Sequence, residues 1–235
     1  MLLAHARTEA RLTLRNGEQV LLTLLIPVAL LLGLTLVSVI DLPDPRVEAV
    51  TPRVLALAVL SSAFTGQAIA LGFDRRYGVL KRLAATALPR WLLVLGRVAA
   101  GLVVVAVQAV VISAVALLLG WSPGGLLWIV LLLVLGTLAF GALGVLLGGA
   151  LKAEIVLALA NVVWFVLLMA GGIVVVTADL PSAMASVVEL LPTAALTNGL
   201  ATAAAGAVPP LSVWLTLIAW GAAGAALATR TTKLT

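Results

Sequence analysis

The sequence specifies an all-α polytopic membrane protein. It has six transmembrane helices, an N-terminal interfacial helix, a cytoplasmic helix between spans 2 and 3, and two short re-entrant or interfacial helices before span 6. Three observations carry this. The 235 residues are 63% hydrophobic and only 10% charged, with a mean hydropathy of +1.27, whereas a soluble domain carries about 25% charged residues to cover its surface. The apolar runs are long enough, at about 1.5 Å per residue, to cross roughly 30 Å of hydrocarbon. The basic residues gather in short segments between those runs, where they act as topology signals. Residues 1–235 form a single transmembrane domain.

The same composition excludes several chemistries. There is no cysteine, hence no disulfide framework or thiolate, and the single histidine, His5, cannot build a metal cluster. The formal net charge of +5 does not point to nucleic acid, because the basic residues flank apolar spans. The first apolar run is a full span without a small-residue cleavage pattern, so no cleavable signal peptide is expected.

Residues 1–19 place Arg7, Arg11 and Arg15 at successive i,i+4 positions, which stacks their guanidinium groups along one side of a helix. The segment reads as a helix at the cytoplasmic interface, against the plainer alternative of a frayed basic tail that only fixes topology. Span 1 covers about 20–40, with Pro27 near its beginning, where a missing amide donor costs little. Residues 41–53, DLPDPRVEAVTPR, form a polar turn, with Thr51 and Pro52 suited to the N-cap and first position of the next helix.

Span 2, about 54–73, contains Ser61, Ser62, Thr65 and Gln67, more polar groups than a lipid-facing helix needs. Span 3, about 98–119, contains Gln108, and GWSPGG at 120–125 is a tight turn with Trp121 at interface depth. Span 4, about 126–150, carries Gly141, Gly144 and Gly148; the last two have the small-xxx-small spacing that lets helices approach closely. Lys152 and Glu154 mark a brief return loop, and span 5, about 155–178, has Asn161 near its start.

Between 179 and 210, Pro181, Pro192, Pro209 and Pro210 cut an Ala/Leu/Val-rich stretch into pieces too short to cross a bilayer. Such pieces are re-entrant or interfacial helices, tolerated where protein or water meets their ends. Span 6 is about 211–229, closed by Arg230 and Lys233.

Six spans put both termini on one side. With that side cytoplasmic, twelve of the fourteen basic residues lie inside and only Arg46 and Arg53 lie outside, which fixes the orientation. Glu189 falls to the outer side with Asp41, Asp44, Glu48 and Asp179.

The segment that stands apart is 74–97, DRRYGVLKRLAATALPRWLLVLGR, with Arg75, Arg76, Lys81, Arg82, Arg90 and Arg97. It is too charged to lie in hydrocarbon and too short to be a domain. Val79, Leu80, Leu83 and Ala87 share one side of a helix, with Arg75, Lys81 and Arg82 toward the others. Gly78 helps the chain turn, and Pro89 ends the helix or starts the climb into span 3. The helix offers a surface to a soluble partner. The plainer alternative is that its cations bind anionic headgroups and enforce topology.

This order of residues resembles the loop between the second and third spans of ABC-2 type transporter permeases. Gly78, Leu80, Leu83, Thr86, Pro89, Arg90, Gly96 and Arg97 match the family's pattern of a glycine, a Leu-rich short helix, a threonine, Pro-Arg and a Gly-Arg start of the next helix. The proline-broken stretch with LLPTAALTNGL at 190–200, the N-terminal interfacial helix and the six spans also match, so the resemblance covers essentially the whole chain.

The loop departs from the family in being strongly basic at Arg75, Arg76 and Lys81, and in having Val79 where threonine is common. The resemblance implies a membrane subunit of an ABC exporter of drug- or lipid-export type, located in the cell inner or cytoplasmic membrane. It also implies that Arg75, Arg76, Gly78, Val79, Leu80, Lys81, Arg82, Leu83, Thr86, Pro89 and Arg90 form a coupling helix that docks on a separate ATP-binding subunit. Two copies of that subunit would bind ATP and Mg, and a second permease chain, identical or related, would complete the route.

The sequence has no Gly-rich loop with Lys-Ser/Thr of its own, so this chain is expected to bind no nucleotide and to be no enzyme. No Asp, Glu, Lys or His lies in the middle of any span, which removes the usual relay of an ion-coupled carrier. Ser61, Ser62, Thr65, Gln67, Gln108 and Asn161 are the candidates for lining a route, and for any one of them a helix–helix hydrogen bond is the commoner use of such a residue. An apolar route suits a hydrophobic or amphipathic substrate. The competing classes are a non-transporting assembly or immunity factor with a permease-like fold and, more weakly, an intramembrane enzyme, for which a lone serine such as Ser61 has no visible base.

Overall fold

The computed structural model describes residues 17–37, 42–79, 82, 90–173 and 187–231. Among them there are seven helices of substantial length and no strand. They are α1 (Gly17–Leu36), α2 (Arg46–Arg76), α3 (Arg90–Leu118), α4 (Leu126–Ala150), α5 (Ala153–Ala170), α6 (Pro192–Ala204) and α7 (Leu211–Thr231). Five of them, α2, α3, α4, α5 and α7, are long and apolar enough to cross a membrane. The interfacial helix expected over 1–19 lies mostly outside the described residues.

The helix α1 runs over 20 residues, most of them within the apolar run that the sequence continues to Ile40. It starts earlier than the expected 20–40, so Pro27 falls in its interior rather than near its beginning, and the Thr23 carbonyl loses its donor there.

A larger correction concerns α2. The sequence suggests a polar turn up to Arg53 with Thr51 as cap, yet the helix begins at Arg46, behind Pro45, and contains Pro52. The Thr51 hydroxyl donates to the Val47 carbonyl at 2.7 Å and Arg53 Nη1 to the Ala49 carbonyl at 2.6 Å. These back-bonds flank the Glu48 carbonyl, whose usual donor Pro52 lacks. From there α2 continues without a break through a π-helical segment, Leu60–Gly66, into Gln67–Arg76.

The helix α3 begins at Arg90, directly after Pro89 and ahead of the expected 98. The bounds of α4 are those read from the sequence. The helix α5 stops at Ala170 rather than near 178, because Gly171 closes it and Gly172 turns the chain at φ +75°. Its expected continuation from 174 lies outside the described residues.

Packing is set by small residues. The longest contact joins α4 to α7, where Gly221 lies against Ala139 and Gly224 against Leu143. Gly144 and Gly148 of α4 meet the carbonyls of Phe64 and Ala68 on α2. Gly141, grouped with them by sequence, faces open space; it sits at neither the i+4 nor the i+8 position from Gly136 and is no packing glycine here.

The short helix α6 settles into the protein rather than onto its surface. Ten of its residues, from Pro192 and Thr193 to Ala203 and Ala204, are buried between α2, α4 and α7. At about 1.5 Å per residue it is only about 20 Å long, too short to span. Its C-terminal end joins the turn before α4, with Gly124 N donating to the Ala204 carbonyl at 2.8 Å. Its N-terminal half lies deeper, with Leu196 against Gly136 and Thr193 against Gly171. It is a short helix enclosed by protein, the setting in which a helix end within a membrane protein is tolerated. Trp121, in the turn beside it, is buried.

Candidate functional site

The helices organise two clusters. One lies at the basic end of the bundle, around the segment that leaves α2 and returns as α3. At the end of α2, Asp74 accepts an ion-paired hydrogen bond from Arg97 of α3. The Arg75 guanidinium donates to the Gly148 carbonyl at 3.0 Å and the Leu151 carbonyl at 3.1 Å, capping the C-terminal carbonyls of α4 as a cation does best. Arg76 pairs with Glu154 in the first turn of α5. Three consecutive residues therefore bind the end of α2 to α3, α4 and α5.

Beyond this clamp α2 ends at Tyr77. Gly78 takes φ +66°, a left-handed conformation that glycine adopts without strain. Arg82 donates its backbone N–H to the Gly78 carbonyl at 3.1 Å and its side chain to the Tyr77 carbonyl at 3.0 Å, so helical winding restarts there. Of the expected docking residues, Arg75, Arg76, Gly78, Val79 and Arg82 are described. Leu80, Lys81, Leu83, Thr86 and Pro89 lie outside the described residues, and Arg90 is the first residue of α3.

The second cluster is a polar layer inside the bundle, centred on the π-helical segment of α2. Ser62 donates to Gln108 Oε1 of α3 at 2.8 Å, and Trp164 Nε1 of α5 donates to the Ser61 hydroxyl at 3.0 Å. One helical stretch further, Gln67 Nε2 donates to the Arg97 carbonyl at 3.3 Å. Adjacent residues on a helix point about 100° apart, so Ser61 and Ser62 serve two different helices.

Three of the six expected route residues, Ser61, Ser62 and Gln108, are thus brought together, while Gln67 joins α2 to α3 nearer the basic end; in this state all four stitch helices. Thr65 has a buried hydroxyl without a hydrogen-bond partner among the described residues. Asn161 is exposed and, among the described residues, bonds the Leu157 carbonyl of its own helix at 2.7 Å. Thr65, Asn161 and Gln67 form no part of the layer.

Sequence reasoning missed two features. The π segment was hidden because LSSAFTG reads as ordinary helix; the paired serines were its only signal. Glu189, allotted to the outer side, stands at mid-height of the bundle, because the turn that carries it dips inward ahead of α6. Its only signal was its place between two prolines in an apolar stretch.

Among the described residues, no group of three His, Cys, Asp or Glu is placed to hold a metal ion. The family model described as ABC-2 type transporter matches residues 2–204. No curated protein matches the chain closely enough to count as a relative.

Proposed function

The chain belongs to the ABC-2 type transporter family, and on that premise we propose that this membrane permease is one subunit of an ATP-driven exporter. It works with a separate ATP-binding subunit, present in two copies, which supplies the sites for ATP and Mg. A second permease chain, identical or related, completes the route. The substrate is hydrophobic or amphipathic and leaves from the cytoplasm or inner leaflet.

The observation that carries this reading is the clamp at the end of α2. Asp74, Arg75 and Arg76 bind α2 to α3, α4 and α5 immediately before the segment that departs as a short basic loop. A force applied to residues 77–89 reaches four helices through those bonds and moves them as a body, as interface rotations do in other switching proteins. The Ser61/Ser62/Gln108/Trp164 layer lies further along the same helices, where such a motion re-registers the hydrogen bonds that close the interior.

In this reading α1 is a sixth span and residues 1–19 form an interfacial helix. Both termini are then cytoplasmic, in a cell inner or cytoplasmic membrane, with the basic end inside.

The test is co-purification of this chain with a candidate ATP-binding subunit co-expressed from the same source, followed by reconstitution of the pair in liposomes. The expected result is a stable complex whose ATP hydrolysis rises when this permease is present. A permease that purifies without that partner, and leaves its hydrolysis unchanged on mixing, contradicts the proposal.

A further inference from the structure

Glu189 is a carboxylate that the fold carries to mid-height and leaves without a partner. Trp220, midway along α7, donates its Nε1–H to the Leu190 carbonyl at 2.8 Å. The next residue, Gly221, lies against Ala139, midway along α4. The turn at 189–191 is therefore about 15–20 Å from either end of the bundle at 1.5 Å per residue.

Glu189 is exposed there and has no hydrogen bond or ion pair with any described residue. The N-terminus of α6, starting at Pro192, presents about half a positive charge and so offsets only part of a full negative one.

Among the described residues no basic side chain stands at that level. Arg46 and Arg53 lie in the first two turns of α2, while Arg75, Arg76, Arg82, Arg97, Lys152 and Arg230 lie at the basic end. Residues 174–186 contain no Lys or Arg. A second copy related by an axis along the membrane normal keeps every residue at its own height and adds none either. A carboxylate facing hydrocarbon at this level would be costly, so it faces water or a cation.

Its surroundings give the kind of cation. Val187 and Leu190 are exposed apolar side chains. Trp220, pinned by its hydrogen bond, shows part of its ring to the same exterior. An aromatic face attracts cations, and the apolar flank suits a hydrophobic body.

We propose that Glu189, with Trp220, forms a recognition site for a lipophilic organic cation, the charged head on the carboxylate and the body against Trp220, Val187 and Leu190. This rests on the export reading in one respect: the bound cation is the exporter's cargo.

The test uses the full chain in lipid nanodiscs, without any ATP-binding subunit, and two probes of matched shape and opposite charge, tetraphenylphosphonium and tetraphenylborate. The expected result is saturable tetraphenylphosphonium binding that Glu189→Gln weakens by about tenfold or more, while tetraphenylborate binding is unchanged by the same substitution. Equal phosphonium affinity in parent and variant, or no saturable binding, overturns the site.

Because the chain has no cysteine, Glu189→Cys also reports hydration directly. It is expected to react with a membrane-impermeant cationic thiosulfonate in vesicles, whereas Leu215→Cys, exposed on α7, is not. An unreactive Glu189→Cys places the residue in lipid and overturns the site as well. Since no partner subunit is present, loss of ATPase coupling sinks the exporter reading without touching these results, and intact coupling does not rescue them.

Discussion

Arg97 of α3 donates to Asp74 at the end of α2, closing the base of the loop that joins the two helices. Neither side chain is more than one-third exposed, at 14% for Arg97 and 33% for Asp74, so removing one leaves the other charge half-desolvated. Asp74→Asn or Arg97→Gln should each cost about 1–3 kcal/mol, read as a lowered unfolding midpoint of the purified protein. The exchanged pair, Asp74→Arg with Arg97→Asp, should recover part of the loss. Absence of any recovery would show that the two sites act independently.

Arg76 and Glu154 form the contrasting case. Their side chains are 49% and 62% exposed, so solvent screens the pair and Arg76→Ala should change stability by less than about 1 kcal/mol. A loss as large as that of Arg97→Gln, in the same unfolding assay, would mean that this bond is shielded in the working assembly.

Gly148 should be the least replaceable glycine of α4. A methyl group there collides with the Ala68 carbonyl on α2, so Gly148→Val forces the two helices apart, at about 1–3 kcal/mol. Gly141→Ala meets nothing within 4 Å and should be neutral or slightly stabilising through helix propensity. Comparing the two by thermal unfolding checks the difference; equal effects would contradict the packing.

Ser62→Ala tests whether the polar layer stitches helices. Loss of its bond to Gln108 should cost about 0.5–2 kcal/mol in thermal unfolding. A variant of unchanged stability but altered transport would instead make Ser62 a lining residue.

The sequence makes the fold legible where one signal acts alone. The bounds of α4 follow from an uninterrupted apolar run between GWSPGG and Leu151–Lys152. It misleads where two signals compete. Thr51-Pro52 carries the local signature of a helix start, but tertiary burial of Val47 and Val50 extends the helix outward, and Thr51 and Arg53 bond the carbonyls on either side of the one the proline strands. The end of α5 is invisible to hydropathy because IVVVTA after Gly172 is as apolar as the helix before it; only the positive φ of Gly172 stops it.

The candidate site divides in the same way. The basic loop is plain in composition, since charge in an apolar chain is easy to see. That Arg75 caps α4, that Ser61 and Ser62 face different helices and that Glu189 reaches mid-height depend on pairings between residues far apart in the chain, which no local pattern encodes.

The central claim is that force enters through the loop between α2 and α3. Its most direct test is the substitution Leu83→Asp, on the apolar side of the expected loop helix, in liposomes holding this permease and its ATP-binding subunit. Insertion should be intact while stimulation of ATP hydrolysis and transport are both lost. Normal insertion with unchanged stimulation and transport would contradict the claim.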